Sequence, residues 1–329
     1  MGIDYFTSGG MRIDYVITTD RKARLREMGG NAIYSAVGAR IWSVAVGILS
    51  RVGENYPEAW LHELESVGID TDGVRRIPGW QDLRTFYAYT DQETRDDMRP
   101  EDHFAEIGLP LPEDLVGYVH STPGQDSEGF IPVSPRPDDL IPSYLGAKAA
   151  HLAPLELAAH CSLCGALSAA GISTTLDPGE RYMTPRHLDR VMEILGQVEV
   201  FMPSEQEVRS LLGPVDLWDA ACRFAEAGPL AVVIKVGARG ALVYDAQTHK
   251  RHHVPAIAAR VVDVTGAGDS FCGGFMVGYH ETGDPVQAAC YGAVSASFVL
   301  QSFGALYATR FGRTDALPRL ADARANVDR

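Results

Sequence analysis

The sequence predicts an α/β fold with a mostly parallel central sheet covered by helices on both faces. Apolar strand-like segments alternate with helix-like segments along most of the chain, beginning at the short strand Ile13–Ile17, and this alternation is typical of a parallel sheet. A second observation is the segment Arg-Thr-Phe-Tyr-Ala-Tyr-Thr at 84–90, which is rich in β-branched and aromatic residues but is followed by no helix. It predicts a small sheet set apart from the main one.

The N-terminal half supplies the first elements of this pattern. A Gly29-Gly30 turn introduces an apolar helix that begins near Ala32, and a buried strand (43–49) and a helix (59–67) follow. Between Arg99 and Pro142 prolines are frequent and periodicity is weak, which indicates a loop-rich insertion over about 100–145 with one short helix near Glu113. Its role does not follow from the sequence.

Alternation resumes in the C-terminal half. Short apolar runs bounded by turn residues predict strands, and longer runs with helical spacing predict helices. The predicted strands are 149–152, 173–176, 198–202 and the pair 230–236 and 241–244, and the predicted helices are 155–170, 185–196, 205–212 and 285–300.

Composition narrows the classes of function. The 329 residues carry a formal net charge of −14 with no Lys- or Arg-rich run, so a nucleic-acid partner is not expected. The most apolar stretch, about 32–49, is interrupted by Arg40 and by glycines and predicts helix and strand rather than a membrane span. No basic segment followed by an apolar one opens the chain, and we expect a soluble cytoplasmic protein. The five cysteines include Cys161-x-x-Cys164, whose apolar surroundings favour buried structural thiols over a zinc site.

One motif carries chemistry. The run from Val261 to Phe271 places Asp269 one residue beyond a Gly-Ala-Gly turn and directly before an apolar helix, with Val261 and Val262 predicted to end a buried strand. The first N–H groups of a helix have no intrahelical partners and, with the helix dipole, can bind phosphate oxygens. A carboxylate at that position can take a proton from an attacking hydroxyl. By itself the short motif is equally consistent with a strand-to-helix turn in which Asp269 only caps the helix.

The longer run Asp-x-Thr-Gly-Ala-Gly-Asp-x-Phe-x-Gly-Gly-Phe, from Asp263 to Phe275, resembles the C-terminal signature of the ribokinase-like (PfkB) family of carbohydrate kinases. The resemblance extends from about Ile13 to Ala305. It implies a three-layer α/β/α domain over 1–329 with a small β-sheet lid built from strands near 11–20 and 80–99. It also implies that Asp269 is the catalytic base and that the backbone of Gly266, Ala267 and Gly268 forms the anion hole.

The same resemblance implies a set of substrate-binding residues. In the family, a Gly-Gly turn and the side chains beside it hold the sugar hydroxyls, and an Asp on the first strand completes the pocket. Many relatives have Asn at the position of Tyr34, and this difference argues against ribose itself and favours another polyol, a nucleoside or a substrate with an apolar face. The residues implied to bind substrate are Asp14, Gly29, Gly30, Asn31, Tyr34 and Glu156.

Residues for ATP and metal follow in the same way. Met-Pro-Ser-Glu-Gln-Glu (202–207) resembles a family element that organises Mg²⁺, with Ser204 in place of Asn and Glu207 acting through water; it also fits a helix capping box. Lys235, Gly237 and Gly240 match the strand and turn near the ATP phosphates or ribose, although a plain hairpin explains the glycines equally well. Asp263 matches a position that binds a monovalent cation such as K⁺ in some relatives, or it hydrogen-bonds the turn that it opens.

The resemblance therefore implies an ATP-dependent kinase that phosphorylates a hydroxymethyl group of a small sugar or sugar-like substrate, and the lid strands make a homodimer through the lid a candidate assembly. The alternatives are a nucleoside kinase of the same fold and a non-catalytic sugar- or nucleoside-binding protein. The second alternative arises because Tyr34 and Ser204 depart from the family pattern, as does Gly179, which replaces Asn in a segment (177–181) that resembles the family's Asp-Pro-Asn-x-Arg element. A Gly-Asp-Ser esterase using Ser270 lacks a later Asp-x-x-His, and no P-loop motif is present.

Overall fold

The computed structural model describes residues 2–90, 94–120 and 129–328. Its strands and helices are numbered in chain order. The strands are β1 (Tyr5–Ser8), β2 (Arg12–Ile17), β3 (Ala23–Gly29), β4 (Val46–Gly53), β5 (Ile69–Asp70), β6 (Val74–Ile77), β7 (Arg84–Tyr89), β8 (Arg95–Asp96), β9 (Ala149–Leu152), β10 (Ser173–Leu176), β11 (Val200–Phe201), β12 (Ala231–Lys235), β13 (Ala241–Asp245) and β14 (Lys250–Val254). The helices are α1 (Asn31–Arg40), α2 (Glu58–Ser66), α3 (Pro100–Glu106), α4 (Leu157–Ala169), α5 (Leu188–Leu195), α6 (Glu205–Leu212), α7 (Leu217–Ala225), α8 (Ala267–Thr282), α9 (Pro285–Val299) and α10 (Arg313–Ala325).

The main sheet is mostly parallel, as the sequence predicts. Its order is β14-β13-β12-β11-β10-β9-β1-β4-β5, with β6 also paired to β4. The pairs from β12 to β5 are parallel, and the two hairpin pairs that include β13 are antiparallel. Parallel strands end at a common edge, so the loops after β1, β9, β10, β11 and β12 meet on one side of the sheet.

Both faces of this sheet are covered, which gives three layers. Successive strand residues point to opposite faces: Tyr5 and Val233 pack into the core on the side of α1, α8 and α9, whereas Phe6 and Ile234 pack into the core on the side of α4–α7. This confirms the predicted three-layer α/β/α architecture. None of the helices within the described ranges combines the length and the apolar character needed to cross a membrane.

A second sheet of order β3-β2-β7-β8 forms the lid. Strands β2 and β7 pair in parallel, with Asp14 opposite Thr85, although the two residues lie far apart in the chain. The loop-rich insertion covers the outer face of this sheet: Phe86 packs against the rings of Phe104 and Tyr118, and the Tyr15 hydroxyl donates to Asp114 at 2.8 Å. The described segment 100–120 thus contributes a backing layer to the lid. The second described segment, 129–145, packs against the main sheet instead, where Asp139 pairs with Arg51 of β4 and Tyr144 packs on Phe6 of β1. Residues 121–128 lie outside the described residues.

The structure corrects several assignments. The predicted strand end at Val261 and Val262 is wrong: residues 255–266 form neither helix nor strand, and Val261 is exposed. Two adjacent β-branched residues do not make a strand when no neighbouring strand pairs with them. Elements β1, β3, β5, β6, β14, α3, α7 and α10 were not identified from the sequence. The 185–196 segment opens with a short 3₁₀ turn before α5, and the strand predicted at 198–202 shortens to Val200–Phe201.

Helices α1 and α8 pack backbone against backbone. A Cβ added at Gly38 would lie closer than 3.0 Å to the carbonyl of Ser270, and one added at Gly273 would be equally close to the carbonyl of Ser35. Real Cβ atoms essentially never show such separations. Glycine at these two positions therefore sets how closely the helices approach, and with it the relative position of their N-termini.

We predict that Gly273→Ala lowers the free energy of unfolding by at least about 2 kcal/mol, because the new methyl group must push α1 away from α8. Urea denaturation measures the change. The matched control is Gly165→Ala in α4, where the added Cβ meets only the end of the Gln197 side chain at 3.3 Å. There the better helix propensity of Ala should leave stability unchanged or raise it by up to about 1 kcal/mol. Equal stability of both variants would contradict the packing argument.

Candidate active site

A single cleft lies between the lid sheet and the carboxyl ends of the parallel strands. It receives residues from the lid, from the N-termini of α1 and α8, and from the loops after β9, β10 and β11. Of the residues singled out from the sequence, those that line this cleft are Asp14, Gly30, Asn31, Tyr34, Glu156, Glu207, Gly266 and Asp269.

The N-terminus of α8 has the geometry of an anion site. Gly266 is the N-cap residue with φ 74°, a left-handed conformation that favours glycine. Ala267 donates its N–H to Val264 at 3.2 Å, so the N–H groups of Gly268 and Asp269 are the next in the first turn, where a helix has no intrahelical acceptor for them. These groups and the positive end of the helix dipole can hold a phosphate oxygen.

Asp269 lies half-buried in that first turn and faces the cleft. Burial, together with the nearby Asp177 carboxylate, raises the pKa of Asp269 to about 6, while Lys235 and Arg95 act to lower it. Above that pH the side chain is an unprotonated carboxylate. A base with a pKa close to neutrality is suited to proton transfer at physiological pH.

Lys235 is the cation beneath this turn. It is not a solvated strand residue, because its ammonium pairs with the buried carboxylate of Asp177, and it lies 3.9 Å from the position of a Cβ on Gly268. Burial acts against its charge, but Asp177 raises the pKa of Lys235 above the usual range, so the ammonium stays protonated. His151, Asp177 and Cys272 could by spacing hold a metal ion; the Lys235 ammonium supplies the positive charge in that cluster instead.

Glu207 combines a capping role with a face toward the cleft. Ser204 and Glu207 form the reciprocal capping box of α6: Ser204 Oγ accepts the Glu207 N–H at 3.2 Å, and Glu207 Oε2 accepts the Ser204 N–H at 2.6 Å. Burial and the Asp177 carboxylate raise the pKa of Glu207 to about 8. A buried oxygen donor whose negative charge is this poorly compensated fits a hard divalent cation such as Mg²⁺.

Asp14 and Glu156 are carboxylates that the protein leaves incompletely paired. Asp14 is 3% exposed and Glu156 is fully buried. Within the described residues, Asp14 Oδ1 and both Glu156 oxygens accept no hydrogen bond. Burial raises the pKa of Asp14 to about 7 and also raises that of Glu156. Gly29 gives Asp14 its room, because a Cβ at Gly29 would collide with that carboxylate. Such buried acceptors fit the hydroxyl groups of a ligand.

Asn31 and Tyr34 both line the cleft, but the Asn31 amide hydrogen-bonds to the protein backbone and the Tyr34 ring packs against a glycine turn. The Asn31 side chain accepts the Gly10 N–H at 2.7 Å and donates to the Pro154 carbonyl at 2.6 Å, so its amide joins two loops of the cleft. The Tyr34 ring lies directly against Gly266, where a Cβ would overlap it. Tyr34 therefore lines the cleft and packs on the turn that precedes Asp269.

Eight of the predicted site residues lie outside the cleft lining: Gly29, Ser204, Lys235, Gly237, Gly240, Asp263, Ala267 and Gly268. Gly237 and Gly240 shape the turn between β12 and β13, with φ 59° and 95°. Ala267 and Gly268 belong to the first turn of α8. The Asp263 carboxylate accepts the N–H and the hydroxyl of Thr265 at 3.0 and 2.8 Å. The esterase alternative fails on geometry, because Ser270 is fully buried and donates its hydroxyl to the Ala267 carbonyl.

Apart from Asp14, the residues that the lid strands contribute to the cleft were not identified from the sequence. Arg12 joins Asp14 on one face of β2, and Thr85 and Tyr87 share one face of β7. Arg95 of β8 lies with its guanidinium 4.0 Å from the centre of the Tyr87 ring. The two-residue spacing within β2 and β7 was a readable signal for these pairs. The remaining cleft residues that were not predicted include Asp97, Ile131, Val133, Ser134, Pro154, Leu155, Glu180, Arg181 and Thr265.

Comparisons with known proteins bear on the family motif and on the fold. Residues 152–310, which contain the α8 motif, match the pfkB family of carbohydrate kinases. This part of the chain therefore carries a PfkB-family carbohydrate kinase domain. The chain is similar to a cytidine kinase from Thermococcus kodakarensis, at 28% identity over 92% of this chain and 98% of that protein. It is also similar to a deoxyribokinase from Salmonella typhi, at 36% identity over 38% of this chain and 40% of that protein.

A solved structure confirms the fold. A putative ribokinase II from E. coli, determined in complex with ATP and Mg²⁺, superposes with a TM-score of 0.71 at 20% identity, and the match covers 97% of this chain and 99% of that chain. The chain thus has the ribokinase-like fold that the resemblance implied.

We predict that Lys235→Met raises the pKa of Asp269 and moves the acid limb of kcat/KM upward by about one pH unit, because a cation close to a carboxylate lowers its pKa. The pH profile of phosphate transfer measures the shift. Lys148→Met is the matched control: this exposed lysine pairs with Asp4 at 3.0 Å, away from the cleft, and its limb should not move. In Lys235→Met with Asp177→Asn the limb should return downward, since Asp177 acts in the opposite direction. An unmoved limb in Lys235→Met would contradict the assignment.

Proposed function

We propose that the protein is an ATP-dependent nucleoside kinase that transfers the γ-phosphoryl group of ATP to a hydroxymethyl group of its substrate, with Asp269 as the general base. The observation that carries the proposal is the placement of Asp269 at the N-terminus of α8, in the same cleft as the incompletely paired carboxylates of Asp14 and Glu156. One end of the cleft is built for phosphate and the other for hydroxyl groups.

The extent of the similarities favours a nucleoside over a free sugar. The likeness to the cytidine kinase spans 92% of the chain, whereas the likeness to the deoxyribokinase, although higher in identity, spans 38%. The cleft also offers the flat and apolar surface that a base requires: the rings of Tyr34 and Tyr87 and the side chains of Ile131 and Val133 line it. Aromatic rings bind the faces of heterocycles well.

At the substrate end, Asp14 and Glu156 accept hydrogen bonds from the ribose hydroxyls. Both are buried, so binding a hydroxyl donor removes the cost of an unpaired polar group. Gly29 and Gly30 keep the backbone clear of the sugar: a side chain at Gly29 would meet Asp14, and one at Gly30 would meet the carbonyl of Gly10. Asn31 acts indirectly by holding the loops at Gly10 and Pro154.

At the phosphate end, the N–H groups of Gly268 and Asp269 receive the γ-phosphate oxygens, and the Lys235 ammonium offsets their charge from below. Gly237 and Gly240 hold the turn along which the rest of ATP lies. Glu207, whose carboxylate Ser204 holds in place, would bind Mg²⁺ by way of a water molecule, in the manner that the family resemblance implies. The metal ion supplies charge neutralisation for the phosphate oxygens. The E. coli relative in complex with ATP and Mg²⁺ supports this choice of cofactors, and Asp263 remains a candidate ligand for K⁺.

The chemical step is a direct displacement. Asp269 accepts the proton of the substrate hydroxymethyl group, and the oxygen forms a bond to the γ-phosphorus as the bond to the β-phosphate oxygen breaks. ADP leaves, and the proton stays on Asp269 until solvent takes it. Positioning and charge stabilisation provide most of the rate in such transfers, and here the fixed helix terminus supplies both.

The departures from the family pattern do not favour a non-catalytic binding protein. Ser204 keeps a hydrogen bond to Glu207. Gly179 lies where a Cβ would clash with the Leu155 carbonyl, so glycine there serves the path of the chain beside the cleft. A protein that only binds its ligand does not need a carboxylate such as Asp269, whose pKa is raised toward neutrality, beside a phosphate site.

The homodimer through the lid stays a prediction. The insertion covers the outer face of the lid sheet, so a dimer would have to form through the edge strands β3 and β8. Edge strands with unpaired backbone groups are able to pair with a second chain.

We predict that Asp269→Asn lowers kcat by at least about 100-fold, the lower end of what a general base contributes. Titration calorimetry should give an ATP affinity within about twofold of the original, since the change keeps the shape of the side chain and removes only the base. Asp189→Asn is the matched control, an exposed Asp in the first turn of α5, and it should keep full activity. Retention of more than about a tenth of kcat in Asp269→Asn would refute the base assignment.

We also predict the substrate class. With ATP and Mg²⁺, kcat/KM for the best of cytidine, uridine, adenosine, guanosine and inosine should exceed that for ribose and deoxyribose by at least about 100-fold, because a site with a base pocket loses that binding with a free sugar. A coupled spectrophotometric assay of ADP formation measures the rates. Comparable values for ribose would replace the nucleoside assignment with a sugar kinase.

A further inference from the structure

Three side chains form a continuous hydrogen-bonded chain from the lid to the loop before α8. The Tyr89 hydroxyl, at the end of β7, lies 3.0 Å from Thr265 Oγ1, which in turn lies 2.8 Å from Asp263 Oδ1. The Thr265 N–H also donates to Asp263 Oδ1, at 3.0 Å. None of these contacts has a role in the proposed transfer step.

The direction of this chain follows from the chemistry of its members. Thr265 has a single hydroxyl hydrogen, and it donates that hydrogen to Asp263 Oδ1. Thr265 Oγ1 must then accept, and the Tyr89 hydroxyl donates to it. Burial raises the pKa of Tyr89, and the phenol therefore keeps the hydrogen that it donates. Bonds aligned in this way strengthen one another.

The position of Thr265 directly affects the anion site. It is bonded to Gly266, the N-cap residue of α8, so its position sets where the N–H groups of Gly268 and Asp269 point. Residues 255–266 lie in no helix or strand, and their path depends on individual bonds such as that from Val262 N–H to the Leu300 carbonyl at 2.8 Å. Loss of one bond in a segment of this kind has more effect than loss of one within a regular element.

We propose that Tyr89 of the lid, acting through Thr265, holds the N-terminus of α8 in the conformation that receives the transferred phosphoryl group. Tyr89 and Thr265 are positioning residues that touch neither reacting atom. Because Tyr89 belongs to the lid, the anion site is fully ordered only when the lid rests on the cleft. While the lid is open, the anion site is not ordered for transfer, and hydrolysis of ATP by water is not accelerated. The inference rests on the proposed function.

The test uses Tyr89→Phe, Thr265→Val and Thr265→Ser in the full chain, with Tyr15→Phe as control. Tyr15 also donates a phenol hydrogen bond from the lid, at 2.8 Å to Asp114, but on the face away from the cleft. Tyr89→Phe and Thr265→Val should each lower kcat about 5- to 10-fold, the effect of one net hydrogen bond, with KM for ATP and nucleoside changed less than about twofold. Thr265→Ser, which keeps the hydroxyl, and Tyr15→Phe should stay near the original kcat.

A double-mutant cycle separates coupling from two independent losses. Tyr89→Phe combined with Thr265→Val should be no slower than the slower single variant, since both remove the same link. Multiplying losses, an unchanged kcat in Tyr89→Phe, or an equal loss in Tyr15→Phe would overturn the inference.

Amide hydrogen exchange provides a readout that does not depend on turnover. Exchange at residues 266–270 should be faster in Tyr89→Phe than in the original protein or in Tyr15→Phe, and equal exchange in all three would overturn the inference. If the original protein phosphorylates no nucleoside or sugar, the proposed function fails. The exchange measurement then still decides whether Tyr89 orders the N-terminus of α8.

Discussion

The close contact between α1 and α8 is the constraint on which the site depends. Gly38 and Gly273 let the two helices meet backbone to backbone, and the N-terminus of each then opens on the same cleft. The N-terminus of α1 carries the Gly29-Gly30 turn beside Asp14, and that of α8 carries Asp269. The distance between the hydroxyl-binding end and the phosphate-binding end is therefore set by core packing, which is stiff.

The cleft is also an accumulation of buried negative charge. Asp14, Glu207 and Asp269 all have raised pKa values, and burial is the largest cause for each. Lys235 is the internal cation that compensates part of this charge through its pair with Asp177. Substrate hydroxyls and Mg²⁺ can interact with the remaining carboxylates, those of Asp14, Glu207 and Asp269. Functional sites commonly lower the free energy of unfolding in this way, and ligand binding should raise it again.

Some of this could be predicted from the sequence and some could not. The helix Glu205–Leu212 was found at its true bounds because Ser204 and Glu207 form a local capping box, and the α8 motif was found because its turn and helix are contiguous. Strand β3 was missed because its charged residues, such as Arg24 and Glu27, follow no clear alternation. The lid strands near 11–20 and 80–99 and the residue Asp14 were implied by the family resemblance, but Arg12, Thr85 and Tyr87 were missed because they meet in the cleft only once β2 pairs with β7. The two-residue spacing within a strand indicates which side chains share a face, but it does not indicate which strand pairs with which.

A crystal structure with a nucleoside and a non-hydrolysable ATP analogue tests the assigned transfer geometry most directly. We expect the hydroxymethyl oxygen to lie within about 2.6–3.2 Å of the Asp269 carboxylate. We also expect the γ-phosphate oxygens to contact the N–H groups of Gly268 and Asp269. The other ribose hydroxyls should donate hydrogen bonds to the Asp14 carboxylate. A nucleoside bound with its hydroxymethyl group away from Asp269, or a γ-phosphate held elsewhere than at the start of α8, would contradict that geometry.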